Sequence, residues 1–277
     1  MRDEMVAAWS RAFAAEILWA TPGAARGMPV VPLTWLADRT PCAAVPLSQL
    51  DDLDALPDRA AFVVREPSRT LVATGDVEVR WDLEGEEFVE HLLPQEIAKH
   101  PPTRLRADSL LDRRENWWWV PRALVTLTTF GQVRALPARA NPGDAMLVRP
   151  SRDPEHPANE PQATVVTAAR WPEPGQDSRV ELWPRDGASL EGDGEPAYVL
   201  GHRNSPDFER WERWYRGGTL HGEVLHVLAG DGGPRPGDEE PGSAEPFGLL
   251  ERFARHRRVA KDCKAGIATV ENRRAQP

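Results

Sequence analysis

The chain has 277 residues, a net charge of −9 and 40% hydrophobic residues. That length gives room for about two ordinary domains, and the negative balance argues against a general nucleic-acid surface. No apolar run approaches the ~20 residues needed to span a bilayer. The opening "MRDEMVAAWSRAFAAEIL" carries acids where a signal peptide needs an uninterrupted apolar core, so a cytoplasmic protein is expected.

Met5, Trp9, Phe13 and Ile17 recur every four residues and predict an N-terminal helix that covers a sheet. "ILWATPGAARGMPVVPLTWL" reads as two strands around a Pro/Gly connector, and "CAAVPL" as a third strand. "LSQLDDLDALPDR" is an acidic short helix or loop. Ala61 to Val64 form a short buried strand. From Leu71 to Trp81 the residues alternate, with Leu71, Ala73, Val77, Val79 and Trp81 on one side and Asp76, Glu78 and Arg80 on the other. That is the period of a half-buried antiparallel strand, and Gly75 inside it suggests a bulge or a sharp bend.

"EGEEFVEHLLPQEIAKH" is helical, with Phe88 and Leu92 on one face. After the charged stretch 102–116 comes "WWWVPRALVTL". As a strand from its start, it places Trp117 and Trp119 on one face and Trp118 on the other, with at least one face buried between the two halves. The bland reading of these rings is core and interface; the sharp one is a ring stacked on a flat cofactor.

The second half repeats motifs of the first in order. "AEILWATP" at 15–22 matches "DAMLVRP" at 144–150, and "PVVPLTW" matches "TVVTAARW". "AFVV" matches "AYVL", and "TLVATGDVEV" matches "TLHGEVLHV". Two diverged tandem copies are therefore expected. The extra segment "NSPDFERWERWYRGG" predicts a helix over 205–216, capped by Ser205 and lined by Phe208, Trp211 and Tyr215. The expected divisions are 1–140, a second half over 141–230, and a disordered linker and loose tail with a short helix over 231–277.

The order of elements resembles the pyridoxamine 5′-phosphate oxidase-like, FMN-binding split-barrel superfamily. The resemblance is carried by "GMPVVPLTW", "AAFVVREPSRTLVATGDVEVRWD" and "WWWVPRALVTL", and it covers residues 5–130 best. It implies a mainly β chain with helical inserts, built as a split β-barrel. The two copies would then pair as an internal pseudo-dimer, or the chain as a homodimer. It also implies FMN, or else coenzyme F420 or haem, at the pairing surface, and a flavin-type oxidoreductase acting on a small molecule. Relatives grip the cofactor phosphate after the third strand. Here that stretch holds Asp51, Asp52, Asp54 and Asp58 and no lysine, which favours the alternative of a cofactor-free interaction or structural module.

Candidate cofactor contacts are Arg65 and Arg69 beside a turn, Arg122 in an apolar strand, and Trp117 and Trp119. Arg122 needs an anionic partner if buried. No catalytic acid or base is implied. Cys42 reads as a small core residue, and two lone cysteines, Cys42 and Cys263, suggest neither a disulfide framework nor a zinc site. His221 and His226, five apart on one strand, are expected on opposite sides, and His156 sits in a loop.

Overall fold

The computed structural model describes residues 1–276 apart from 101–102, 104–113, 153–159, 174–177, 206–207 and 235–243. His156 and most of the acidic linker lie outside the described residues. Two curled antiparallel sheets make up the body of the molecule, and the chain is mainly β with helical inserts.

The first sheet takes its strands from β1 (Ala15–Thr21), β2 (Ala24–Val30), β3 (Leu33–Thr34), β4 (Pro41–Pro46), β5 (Arg59–Arg65), β6 (Arg69–Asp82), β7 (Arg122–Leu127) and β8 (Val133–Pro137). Their order is β2-β1-β5-β6-β7-β4-β3, with β8 also on β6. The second contains β9 (Ala145–Pro150), β10 (Pro161–Thr167), β11 (Ser178–Glu181), β12 (Trp183–Pro184), β13 (Gly192–Asn204), β14 (Trp211–Gly222) and β15 (Val224–Asp231). Read from the β12 edge, its order is β12-β10-β9-β13-β14-β15-β11. Strands β9, β10, β13, β14, β15 and β11 thus occupy the places of β1, β2, β5, β6, β7 and β4, and every pairing in both sheets is antiparallel.

Strand β6 bends the first sheet into a half-barrel. Its first part pairs with β5 and β8, and its second part, from Val77, pairs with β7. The change falls at Gly75, where a Cβ would lie 1.9 Å from the carbonyl oxygen of Thr129. Only glycine lets the two backbones approach so closely.

Successive residues on β1, β5 and β6 serve two cores. Ile17, Phe62 and Leu71 point into the first half-barrel, with Trp9 of α1 (Arg2–Arg11). Leu18, Val63 and Val72 point the other way, onto Met146, Val148, Val165 and Leu200 of the second sheet. Burial on both faces explains why β1 and β5 read as apolar runs, whereas β6 keeps its alternation in the second part, beyond Gly75. A separate core under Trp214 and Trp171 fills the second half.

The predicted helix over 205–216 is not formed. Residues Trp211–Gly222 are a strand, paired with β13 from Asn204↔Trp211 to Gly192↔Gly222. The spacing of Trp211 and Tyr215 fits a helix. Hydrogen bonding to a thirteen-residue partner strand overrides it, and Gly217–Gly218 forms a bulge opposite β15 rather than a helix end. The same hairpin logic corrects the histidines: a turn at Gly222–Glu223 puts His221 and His226 on neighbouring strands with ring centroids 5.0 Å apart.

The tail is not loose. The expected short helix runs over Leu249–Ala275 as α4 and docks on the first sheet. Cys263 and Val270 are buried. Gly266 lies against Leu47 in a 3-10 turn (Leu47–Gln49) that leads into α2 (Leu50–Asp54). Arg273 makes two bonds to the Asp54 carboxylate at 2.6 and 2.7 Å, and Arg274 donates to Trp81 O at 2.7 Å. Composition alone missed this because the apolar contacts are spaced along a strongly charged helix.

Candidate functional site

The tryptophan triplet does not begin a strand. Residues Arg114–Trp119 form a 3-10 turn, and β7 starts only at Arg122 after Pro121. The two-residue alternation expected of Trp117, Trp118 and Trp119 is therefore lost. Trp117 is 48% exposed, while Trp118 and Trp119 are both buried in one core with Phe88, Leu92, Cys42 and Cys263. Trp118 packs edge-on against His256 of α4 at 5.3 Å, and Trp119 stands edge-on to Phe88 at 6.5 Å. These rings anchor α4 and the helical insert, and they do not form the seam between the sheets.

A cavity of about 610 Å³ opens where the two sheets and α4 meet. Pro29, Val30 and Val31 at the end of β2, with Ala44 and Val45 of β4, form its apolar wall. Asp51 and Asp52 of α2 line one side. Glu96 of α3 (Leu93–Lys99) and Arg122 of β7 line another. Trp211 and Arg213 of β14 close it from the second sheet, and Arg255 and Val259 of α4 cover it.

Of the five candidate cofactor contacts, Arg122 alone lines this cavity, together with Asp51 and Asp52 of the acidic stretch. It is 2% exposed, with its guanidinium 4.3 Å from the Phe88 ring centre and 5.6 Å from that of Trp119. Its Nη2 is 3.8 Å from Glu96 Oε1, the carboxylate partner that a buried arginine requires. Trp119 thus stands behind Arg122 rather than in the cavity. Arg65 donates to Arg139 O at 2.6 Å, and burial lowers its pKa. Arg69 pairs with Glu66 at 3.0 Å on the β5–β6 turn. Arg65, Arg69 and Trp117 are not cavity residues.

A chain of polar and aromatic groups runs from the cavity into the seam. Thr103 donates to Glu96 Oε1 at 2.6 Å and lies 3.0 Å from His100 Nδ1. The His100 ring stands 6.3 Å from that of Trp211. Trp211 Nε1 donates to His202 Nδ1 at 3.2 Å, and His202 Nε2 lies 3.0 Å from Glu16 Oε1. Arg139 Nη1 reaches the same oxygen at 2.5 Å. Glu16 has no exposed surface. Burial works to raise its pKa, but Arg139 and His202 prevail and hold it at about 2. It is an anion at neutral pH, compensated at the centre of the molecule.

Charges around the cavity are balanced. Arg213 is bonded to Asp52 at 2.7 Å, and Arg122 faces Glu96. Sequence reasoning missed Arg213, His202 and Glu16, and it set Trp211 on a helix rather than on β14. Asp52 and Arg213 are separated by 161 residues, so no local pattern joins them. Among the described residues, no group of three or more His, Cys, Asp or Glu is arranged to hold a metal ion. No described helix is long and apolar enough to cross a membrane.

No family model and no curated protein matches the chain. One solved structure similar to it is a pyridoxamine 5′-phosphate oxidase-related, FMN-binding protein from Nostoc punctiforme PCC 73102. The identity is 14% and the TM-score 0.31, over 60% of this chain and 96% of that one. At that score the likeness assigns no role to any residue here.

Proposed function

We propose that the junction cavity binds a flat, conjugated small molecule of the flavin class, FMN first among them, and that the chain is a flavin-type oxidoreductase. The observation that carries this reading is the cavity itself. Its volume of about 610 Å³ falls in the ~300–1,000 Å³ range of small-molecule sites, and its lining combines Val30, Val31, Ala44 and Val45 with the Trp211 indole and a larger set of polar and charged side chains. Repetition of the strand order supports two diverged copies paired as an internal pseudo-dimer, with this site at their junction.

The lining fits an isoalloxazine better than it fits a phosphate. Val30, Val31, Ala44 and Val45 offer an apolar face, and Trp211 an aromatic one. Arg122, Arg213 and Arg255 are the cations available, set against Asp51, Asp52 and Glu96. Arg213 would take a phosphate only by giving up Asp52. A bound flavin supplies the redox chemistry, and the chain's residues orient it and exclude water. The covering helix α4 and the apolar wall perform the exclusion; Trp211 and Arg122 fix the ring's position. No protein acid or base is needed for hydride transfer.

The test is a visible spectrum of the purified chain, followed by titration of FMN into wild type and Trp211→Ala with flavin fluorescence as readout. A flavin band, or quenching that Trp211→Ala weakens at least tenfold, supports the reading. A chain that neither carries nor binds flavin sinks it. Haem and F420 would announce themselves by their own bands. The balanced charges and the acids of α2 favour a second reading, a cofactor-free interaction module, which predicts no ligand of any of these classes.

A further inference from the structure

We propose that His202 is a positioning residue for the cavity: held in its Nε2–H tautomer between Glu16 and Trp211, it fixes the indole of the cavity wall, and a second proton on its ring releases that indole. The inference rests on the cavity being a ligand site, as read above.

Hydrogen-bond chemistry sets the tautomer. An indole N–H can only donate, so the His202 Nδ1 that it meets at 3.2 Å must present a lone pair. The ring proton therefore sits on Nε2, 3.0 Å from Glu16 Oε1. Glu16 accepts it as an anion, because Arg139 shares the same oxygen at 2.5 Å. Each group in the row Arg139, Glu16, His202, Trp211 is thus assigned by its neighbour.

Two demands on His202 oppose each other. The Glu16 carboxylate favours an imidazolium. An imidazolium, however, carries hydrogen on Nδ1, which would face the indole N–H with no acceptor between two donors. Protonation and the present placement of Trp211 exclude one another. Trp211 is held at its Nε1 by His202 alone among the described contacts, and its ring lines the cavity. The proton on His202 is in this way coupled to the shape of the ligand site.

The charged groups around His202 come from several elements. Glu16 belongs to β1, and Arg139 follows β8 with Arg65 of β5 behind it. Across the hairpin its register partner is Arg213, and the Arg203–Glu212 pair at 2.6 Å flanks it. The His100 ring lies 6.3 Å from that of Trp211. Glu16 is the anion that touches the imidazole.

Nitrogen-15 NMR of the histidine-labelled full chain reads the tautomer, and the indole N–H signal reports on Trp211. FMN titrations from about pH 8 to about pH 5 complete the test. At the upper end His202 should show a protonated Nε2 and a bare Nδ1. As the second proton binds, the Trp211 N–H signal should move. FMN affinity should fall about tenfold in step, the worth of one hydrogen bond. In His202→Asn the amide oxygen takes the acceptor place and does not titrate, so FMN affinity should stay level across the range. His202→Gln, which restores only the donor to Glu16, should bind weakly throughout. An Nδ1–H tautomer or an imidazolium at the upper end overturns the proposal. So does an unchanged pH dependence in His202→Asn. If wild type binds no FMN at any pH, the ligand reading falls, while the tautomer and the coupled Trp211 signal still decide the role of His202.

Discussion

Gly266 of α4 lies directly against the carbonyl of Leu47: a Cβ at this position would be 2.2 Å from that oxygen. No side chain fits without lifting the helix from the first sheet. We expect Gly266→Val to destabilise the protein by about 1–3 kcal/mol, the usual cost of overpacking. Removing residues 247–277 should likewise lower the melting temperature, since Cys263, Ile267 and Val270 bury apolar surface there. Thermal melts of both variants check this. An unchanged midpoint in both would show that α4 contributes no stability.

The tryptophan triplet should divide by burial. Trp118→Ala and Trp119→Ala are expected to cost about 3–5 kcal/mol each, as large cavities in a core do. Trp117→Ala should stay within about 0.5 kcal/mol of wild type, because its ring is 48% exposed. Urea unfolding of the three variants distinguishes this from a strand arrangement, in which Trp117 and Trp119 would behave alike.

Stability should depend on Glu16 at acid pH. Its folded pKa of about 2 lies below the ordinary 4.5, so the unfolded chain binds the proton more tightly. The contribution is fully present above about pH 4.5 and drains away as pH falls toward 2. Glu16→Gln should be less stable at neutral pH, because Arg139 loses its buried partner, and should show a shallower acid transition. Chemical denaturation across that window measures both. Equal acid slopes in the two proteins would remove Glu16 from the account.

Flavin binding should discriminate little between FMN and riboflavin. A phosphate in this cavity would find Arg213 already bonded to Asp52, with Asp51 also in the lining. Asp52→Asn frees the guanidinium and removes one negative charge. It should therefore shift preference toward FMN by roughly tenfold or more. Paired titrations of the two ligands give the ratio, and a wild-type chain that strongly prefers FMN would contradict the charge argument.

What could be read from the sequence was what short-range periodicity controls. The strands at 15–21, 59–65 and 69–82 show apolar runs or alternation because their neighbours bury them on one or both faces. The strand at Trp211–Gly222 failed that reading, since aromatics four apart satisfy a helix as well as a strand. The turn at Trp117–Trp119 failed because Pro121 delays the strand. The site was almost invisible. Arg122 could be singled out as a charge in an apolar run, but Asp52 with Arg213 and Glu16 with His202 meet only after both sheets have formed.

The alternation of Ile17 with Leu18, Phe62 with Val63 and Leu71 with Val72 leaves β1, β5 and the first part of β6 no face that water can wet. Expressed separately, either sheet would present a bare apolar surface, and its association with the other would depend on concentration. In the intact chain the short connection between β8 and β9 makes that meeting intramolecular. Dilution cannot part the two sheets, so the cavity at their junction survives at any protein concentration at which the chain remains folded.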